Sequence, residues 1–149
     1  MTVAVEKLRI VGWKSIKDAT IDLGSLTLLG GANGAGKSNL VGLVGLLGAI
    51  VEQRLQLTVR QQGGAATLVH FGPKTTPSIR VELTLGPTAY KATLTVADDD
   101  SIYFADETAT RTNPSANLWS TLDFGAGHRE SGLLTAAKNP RFDVAQDVL

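Results

Sequence analysis

GANGAGKS, at residues 31–38, is the stretch that decides the fold expected for this chain. It matches the phosphate-binding loop pattern G-x-x-x-x-G-K-[ST] at all four fixed positions. Glycines permit positive φ angles and let backbone N–H groups approach a phosphate without side chains in the way. The pattern places Lys37 against the β- and γ-phosphates of a nucleotide and the Ser38 hydroxyl on Mg²⁺. A nucleoside triphosphate with Mg²⁺ is therefore the predicted ligand, and the residues predicted to hold it are Gly31, Ala32, Asn33, Gly34, Ala35, Gly36, Lys37, Ser38 and Asn39, with Ser38 as the metal ligand.

The residues around this loop predict the strand, loop and helix that the motif requires. Leu26–Leu29 is an apolar run typical of a short buried strand that leads into the loop. From Lys37 to about Gln56, apolar residues recur at helical spacing, which predicts a helix whose positive dipole end lies under the phosphates. Glycine recurs on this helix at positions 42, 45 and 48. Each glycine costs up to about 1 kcal/mol relative to alanine, so we expect a compensating partner, a sheet or a second chain, packed closely on that side.

Length and composition indicate one soluble domain. The 149 residues carry no net charge, no cysteine and 43% hydrophobic side chains, so the chain can bury a core and forms no disulfide. The amino-terminal residues lack the basic and apolar regions of a signal peptide. The longest apolar run, Leu40–Val51, is too short to span a bilayer. We expect a cytoplasmic protein with no membrane partner, and the neutral charge gives no sign of a strongly basic nucleic-acid surface.

Strand patterns flank the loop on both sides. Residues 5–13 and 20–23 predict two short strands before it. Residues 78–85 alternate between apolar and polar side chains, as do residues 90–96, with a turn sequence between them. This is the pattern of an antiparallel hairpin with one solvated face, and residues 101–105 predict a third strand beside it.

The carboxy-terminal part of the chain has weaker signals. Residues 106–126 lack clear periodicity and predict mostly loop, anchored to the core by Trp119, Leu122 and Phe124. Residues 129–138 predict a short helix, and residues 143–149 begin another helical pattern.

Two groups of residues could suggest a metal site, but both favour a structural interpretation. Asp98, Asp99 and Asp100 are consecutive, so their side chains diverge, and aspartate is common in turns. His70 and His128 are far apart and have no cysteine or second histidine near them in the sequence. Because metal sites need clustered ligands, we expect structural roles for both histidines.

The loop and the residues before it carry a resemblance to a known family. Leu8–Ile16, LRIVGWKSI, followed by GANGAGKSNL, resembles the amino-terminal lobe of ABC-type P-loop ATPases, in particular the RecF and SMC (structural maintenance of chromosomes) group and the RecF-like bacterial AAA family ATPases. Trp13 stands where that group more often has phenylalanine. The resemblance implies an α/β P-loop NTPase fold, with a mixed sheet around the loop helix and an antiparallel β-subdomain beside it. It also implies ATP hydrolysis by a head-to-tail dimer in DNA repair or phage defence, with DNA as a possible partner.

Parts that such an ATPase needs for hydrolysis are not found in this sequence. No apolar strand ends in Asp-Glu outside the predicted antiparallel sheet, and no L-S-G-G-like signature occurs. We therefore expect residues 1–149 to be a single amino-terminal lobe without a catalytic residue of its own. It would bind ATP, and hydrolyse it only when completed by a second ATPase half and a dimer partner. The alternative is a stand-alone nucleotide-binding or partner-interaction module without catalysis. A complete small P-loop kinase is less favoured, because no lid or acceptor-site motif is evident.

Overall fold

The structure, a computed structural model, describes residues 4–113, 115–139 and 143–149. In these residues the framework is a six-stranded sheet in which every neighbouring pair of strands is antiparallel. The strands are β1 (Lys7–Trp13), β2 (Ile16–Asp22), β3 (Ser78–Leu85), β4 (Thr88–Val96), β5 (Ile102–Asn113) and β6 (Leu118–Asp123). Their order across the sheet is β2-β1-β3-β4-β5-β6, so all but one of the neighbouring pairs follow directly along the chain.

Short helices complete the fold and share a core with the sheet. They are α1 (Lys37–Val51), α2 (Leu55–Gln61), α3 (Leu133–Ala137) and α4 (Asp143–Val148), with a 3₁₀ helix at Ala65–Thr67. Alternate side chains of the strands point into this core and meet Leu43, Leu46 and Ile50 of α1. The buried apolar residues of the strands are Leu8, Ile10, Trp13, Ile79, Val81, Leu83, Leu85, Tyr90, Ala92, Leu94, Ile102, Phe104 and Ala109.

The hairpin of β3 and β4 confirms the alternation read from the sequence. Ile79 pairs with Leu94 and Val81 with Ala92, and all four side chains are buried. The intervening side chains face solvent, where Glu82 lies 3.9 Å from the Lys91 ammonium. Burial on one face and charge pairing on the other both specify this register, since a one-residue slip would expose every apolar side chain.

The predicted mixed sheet around the loop helix is wrong, and with it the expected α/β P-loop class. Leu26–Leu29, the predicted buried strand, belongs to no strand, and Leu26 and Leu28 are 78% and 83% exposed. An extended segment becomes a strand only when a neighbour satisfies its backbone N–H and C=O groups. No strand in the described residues lies beside this segment. The fold observed is an antiparallel sheet with one face covered by helices.

The loop helix is shorter than predicted. α1 ends at Val51, not near Gln56, because Gln53 adopts a left-handed φ of +54° and the chain then turns into α2. The Glu130 carboxylate accepts the N–H groups of Leu55 at 2.8 Å and Gln56 at 3.0 Å. A carboxylate at a helix amino terminus satisfies donors that the helix itself cannot. This partner is 75 residues away from Leu55, so the local pattern did not reveal the break.

The loop predicted over residues 106–126 is also wrong, because β5 and β6 occupy most of it; residue 114 lies outside the described residues. Thr93 of β4 pairs with Asp106 and Leu94 pairs with Phe104, so Ala105 between them is the extra residue of a bulge in β5. The bulge leaves Asp106 exposed and turns Glu107 into the core. Because Glu107, a charged residue, occupies a core position, the sequence of this strand does not show the alternation of apolar and polar residues that predicts a strand.

The three predicted anchors of this region behave differently. Trp119 is 73% exposed, so its predicted role as a core anchor is wrong, whereas Leu122 and Phe124 pack against the core as expected. Further along, α3 covers Leu133–Ala137 of the helix predicted over residues 129–138. α4 confirms the helical pattern that begins at residue 143.

Candidate functional site

The phosphate-loop sequence forms an open turn directly before α1. Gly34 and Gly36 adopt left-handed φ angles of +83° and +91°, which side chains rarely tolerate. Gly36 is the residue that caps α1, and it provides no side-chain acceptor for the first N–H groups of the helix. These N–H groups have no partner inside the helix and carry its positive dipole end. The geometry therefore gathers donors at one point, as an anion requires.

The Lys37 ammonium lies over this turn. It donates hydrogen bonds to the carbonyl oxygens of Gly31 and Ala32, the latter at 2.7 Å. The side chain is thus drawn back across the loop instead of extending into solvent. The ammonium thus places a positive charge beside the amino end of α1, and both would attract an anion.

A groove of about 420 Å³ opens above these groups. The residues that line it are Asn33, Gly34, Gly36, Lys37, Ser38 and Asn39. Ser38 is exposed in the first turn of α1, where its hydroxyl is accessible as one oxygen ligand. Mg²⁺ usually takes one or two protein ligands and completes its octahedron with phosphate oxygens and water. The donor set therefore fits a phosphate chain with a bound Mg²⁺, which would supply charge neutralisation there.

Asn39 lines the groove too, but its side chain is also bonded to the β1–β2 turn. Its side-chain amide donates to Ser15 Oγ at 2.7 Å, and its backbone carbonyl accepts the indole N–H of Trp13 at 2.6 Å. The β1–β2 turn therefore meets the loop at the start of α1. Sequence reasoning missed Ser15 as part of this site, because no spacing rule links residues 24 positions apart. The signal that could have found it is Trp13-Lys14-Ser15 itself, which lies within the stretch that carries the family resemblance.

A second polar cluster lies on the core side of β5, around Glu107. This carboxylate is fully buried, and it accepts hydrogen bonds from the Tyr90 hydroxyl at 2.8 Å, Ser131 Oγ at 2.5 Å and the Gly132 N–H at 3.0 Å. His128 Nε2 lies 2.8 Å from its second oxygen. Buried carboxylates persist when several donors replace their lost water.

The Glu107 cluster does not have the arrangement of a hydrolytic site. A nucleophile needs a base within hydrogen-bond reach, with the base oriented by a third group. Here Ser131 and His128 both bond to the same carboxylate, and Ser131 is 1% exposed. The His128 ring also stacks on Phe104, with ring centroids 4.7 Å apart. The cluster therefore fastens β5 to the segment before α3, which is a structural role.

Tyr90 makes the stability of the fold depend on pH in the alkaline range. Burial, together with the neighbouring Glu107 carboxylate, raises the pKa of Tyr90 well above its ordinary value of 10.0. The folded chain keeps this proton where the unfolded chain releases it, so the unfolded state binds fewer protons above about pH 10. We expect the free energy of unfolding to fall with rising pH in that range, and to fall less steeply in Tyr90→Phe. Urea unfolding between about pH 8 and 11 measures both slopes. Tyr103→Phe, outside the cluster, is the control, and equal slopes for wild type and Tyr90→Phe would contradict this assignment.

The other aspartate and histidine side chains considered as metal ligands each bond to different groups of the protein. Asp99 accepts from Ser101 and from Arg129 at 3.1 Å, and these hydrogen bonds lower the pKa of Asp99 to about 2. Asp100 accepts the Ala66 N–H at 2.8 Å. His70 Nδ1 lies 2.6 Å from the Lys14 carbonyl oxygen. Among residues 4–113, 115–139 and 143–149, no three His, Asp or Glu side chains are grouped as a metal site would require.

No protein-family model matches this sequence, and no curated protein matches it either. Within the described residues, no helix combines the length and apolar character needed to cross a membrane.

Proposed function

We propose that this chain is a nucleotide-binding unit that holds ATP with Mg²⁺ on residues 31–39. The observation that carries the proposal is the glycine turn of the loop, which opens on the amino end of the 15-residue helix α1 with the Lys37 ammonium held across it. In the proposed complex the backbone N–H groups of the loop hold the phosphates. Lys37 balances the charge of the β- and γ-phosphates, and Ser38 contributes one oxygen to Mg²⁺.

We further propose that hydrolysis needs a second half, as in the ATPases that this chain resembles. An apolar surface beside the loop supports this. It consists of Leu26, Leu28, Leu29, Val41 and Val44, which are between 47% and 83% exposed. Leu29, Val41 and Val44 line one shallow apolar pocket. Exposed apolar patches mark interaction surfaces, and their burial contributes about 25 cal/mol per Å². A partner surface placed here would cover these side chains and the exposed side of α1.

The glycines of α1 support the same proposal. Gly42 has its partner within the chain, since a Cβ at Gly42 would lie 3.7 Å from the Trp13 ring. Cβ atoms built at Gly45 and Gly48 meet nothing within 4 Å in the described part of the chain. The predicted close partner is therefore present for the first glycine, and the proposed second half would supply it for the other two. A head-to-tail homodimer, and a role with DNA in repair or phage defence, remain proposals that rest on the resemblance.

The second candidate is a stand-alone nucleotide-binding or partner-interaction module. The observation in its favour is that the sheet, α1 and α4 already share one buried core. In this case nucleotide would set the shape of the loop without being hydrolysed. The two candidates differ in whether any added partner elicits phosphate release, because hydrolysis requires an oriented water and a cation at the γ-phosphate.

The test of Mg²⁺–ATP binding uses Ser38→Ala. We expect Mg²⁺ to raise the affinity of the wild type for ATP by on the order of tenfold, as one charge-assisted contact of about 1.4 kcal/mol would. Ser38→Ala should lose most of that gain and keep its affinity for ATP in EDTA. Calorimetric titration with and without Mg²⁺ measures both. Ser25→Ala, exposed in the segment before the loop, is the matched control. Absence of ATP binding by the wild type would overturn the proposed function, and an unchanged Mg²⁺ gain in Ser38→Ala would place the metal elsewhere.

A further inference from the structure

We infer that Ser15 and Asn39 form a clamp that positions the phosphate loop, so that Asn39 affects nucleotide binding through the loop that it holds in place. The inference rests on the proposed function for its effect on affinity, although the clamp itself is a property of the nucleotide-free chain. It assigns Asn39 and Ser15 as positioning residues and gives the β1–β2 turn a role in the site.

The clamp has two hydrogen bonds that converge on one residue of α1. Asn39 Nδ2 donates to Ser15 Oγ at 2.7 Å, so this amide is directed at the turn. Trp13 Nε1 donates to the Asn39 carbonyl oxygen at 2.6 Å. Side chain and backbone of Asn39 are thus both held by residues of the β1–β2 hairpin. The Ser15 hydroxyl takes one of the two N–H donors of this amide, so the Asn39 side chain is already held in place in the nucleotide-free chain.

The β1–β2 turn also lies in close van der Waals contact with the loop and with α1. A Cβ at Gly36 would lie 3.3 Å from Ser15 Oγ, so the loop backbone passes directly beside the hydroxyl. Trp13 is fully buried, and its ring lies under Gly42, one turn further along α1. The clamp therefore acts at the last residue of the loop and along the first turns of the helix.

The base of the clamp is itself anchored. Lys14 has a left-handed φ of +45°, and its N–H donates to the Leu68 carbonyl at 2.8 Å. Its carbonyl oxygen lies 2.6 Å from His70 Nδ1, and its ammonium donates to Gln62 at 3.0 Å. Since the turn is tied to the segment after α2, Ser15 has a defined position from which to hold Asn39.

At the amino end, the loop is held by the Lys37 ammonium on the Gly31 and Ala32 carbonyl oxygens but is not continuous with a strand of the described sheet. Residues 26–30, which lead into it, belong to no strand, and glycine occupies three of the six positions from 31 to 36. Glycine loses more conformational freedom on ordering than any other residue. When a loop becomes ordered only on binding, its lost conformational entropy lowers the affinity for the ligand. A loop that is already ordered before binding avoids that cost. The clamp supplies such preorganisation at the helix end of the loop.

The affinity test uses Ser15→Ala, Asn39→Ala, the double variant and Ser15→Thr. Each alanine variant should weaken Mg²⁺–ATP binding by roughly five-fold, as expected for one lost hydrogen bond. The double variant should be no weaker than either single variant, because both remove the same bond. Ser15→Thr, which keeps the hydroxyl, should restore most of the wild-type affinity, and Ser25→Ala should leave it unchanged. Isothermal titration measures these values.

Hydrogen exchange of the nucleotide-free protein tests the clamp independently. We expect the amides of residues 34–39 to exchange several-fold faster in Ser15→Ala and Asn39→Ala, and Ser15→Thr to restore protection. Unchanged exchange in both alanine variants would overturn the clamp, even if ATP binds. Faster exchange in a chain that does not bind ATP would support the clamp and refute the proposed function. If the two affinity losses multiply in the double variant, Ser15 and Asn39 act separately and the positioning role is wrong.

Discussion

Replacing Lys37 with alanine is expected to reduce ATP affinity by about a hundredfold or more while the protein stays folded. In the proposed complex Lys37 is the cation that faces the β- and γ-phosphates, and charge-assisted hydrogen bonds contribute roughly 1.5–3 kcal/mol each. Removing both the charge and the donors therefore costs the equivalent of two or more contacts. The stability of the fold should change little, because the lysine contacts exposed loop carbonyls and no core side chain.

The comparison that isolates this effect is Lys17→Ala. Lys17 is an exposed lysine on β2, so its removal changes the net charge equally. Calorimetric titration with Mg²⁺–ATP gives the affinities, and thermal unfolding reports whether each variant folds. Equal affinities for wild type and Lys37→Ala would show that the loop does not bind ATP in the proposed manner. An unfolded Lys37→Ala variant would refute the expectation that its contacts are dispensable for the fold.

Replacing Glu107 with alanine is expected to produce the largest loss of stability, on the order of 3–5 kcal/mol. The buried carboxylate is the common partner of Tyr90, His128, Ser131 and the Gly132 N–H. Its removal leaves buried donors without acceptors and a cavity between β5 and the segment before α3. Because a domain of this size is stabilised by only about 5–15 kcal/mol, this loss brings it close to unfolding at room temperature.

Two further variants distinguish the loss of the Glu107 hydrogen bonds from the loss of a negative charge. Asp106→Ala removes the adjacent carboxylate, which is exposed, and should change stability by less than about 0.5 kcal/mol. Glu107→Gln keeps an acceptor oxygen and should be intermediate between wild type and Glu107→Ala. Urea unfolding followed by circular dichroism gives the free energy of unfolding of the wild type and of each of the three variants. A loss for Glu107→Ala no greater than for Asp106→Ala would mean that the cluster does not stabilise the fold.

The hairpins and the start of the loop helix could be predicted because their signals are local. Residues 78–85 alternate with a period of two, and the same residues build β3 with alternate side chains buried. The helix begins at Lys37, directly after the glycine turn, as the loop pattern predicts. In each case neighbouring residues contain the information, since alternation and positive φ are properties of a short stretch.

Predictions that depended on a distant partner were the ones that went wrong. The pattern of Leu26–Leu29 suits a strand, but a strand also needs a neighbour, and none of the described strands pairs with it. Residues 106–126 looked like a loop because Glu107 occupies a core position. Its partners lie 17 to 25 residues away, so its burial could not be expected from the surrounding sequence.

The sequence by itself determined the glycine turn before the helix, the start of that helix at Lys37 and the alternating hairpin, because backbone freedom and apolar periodicity are encoded within a few positions. Tertiary structure decided the antiparallel sheet, the break in the loop helix at Gln53 and the burial of Glu107. It also decided that Asn39 faces Ser15. These features depend on which segments meet, and pairing across long separations is settled by the free energy of the whole packed core rather than by local preference.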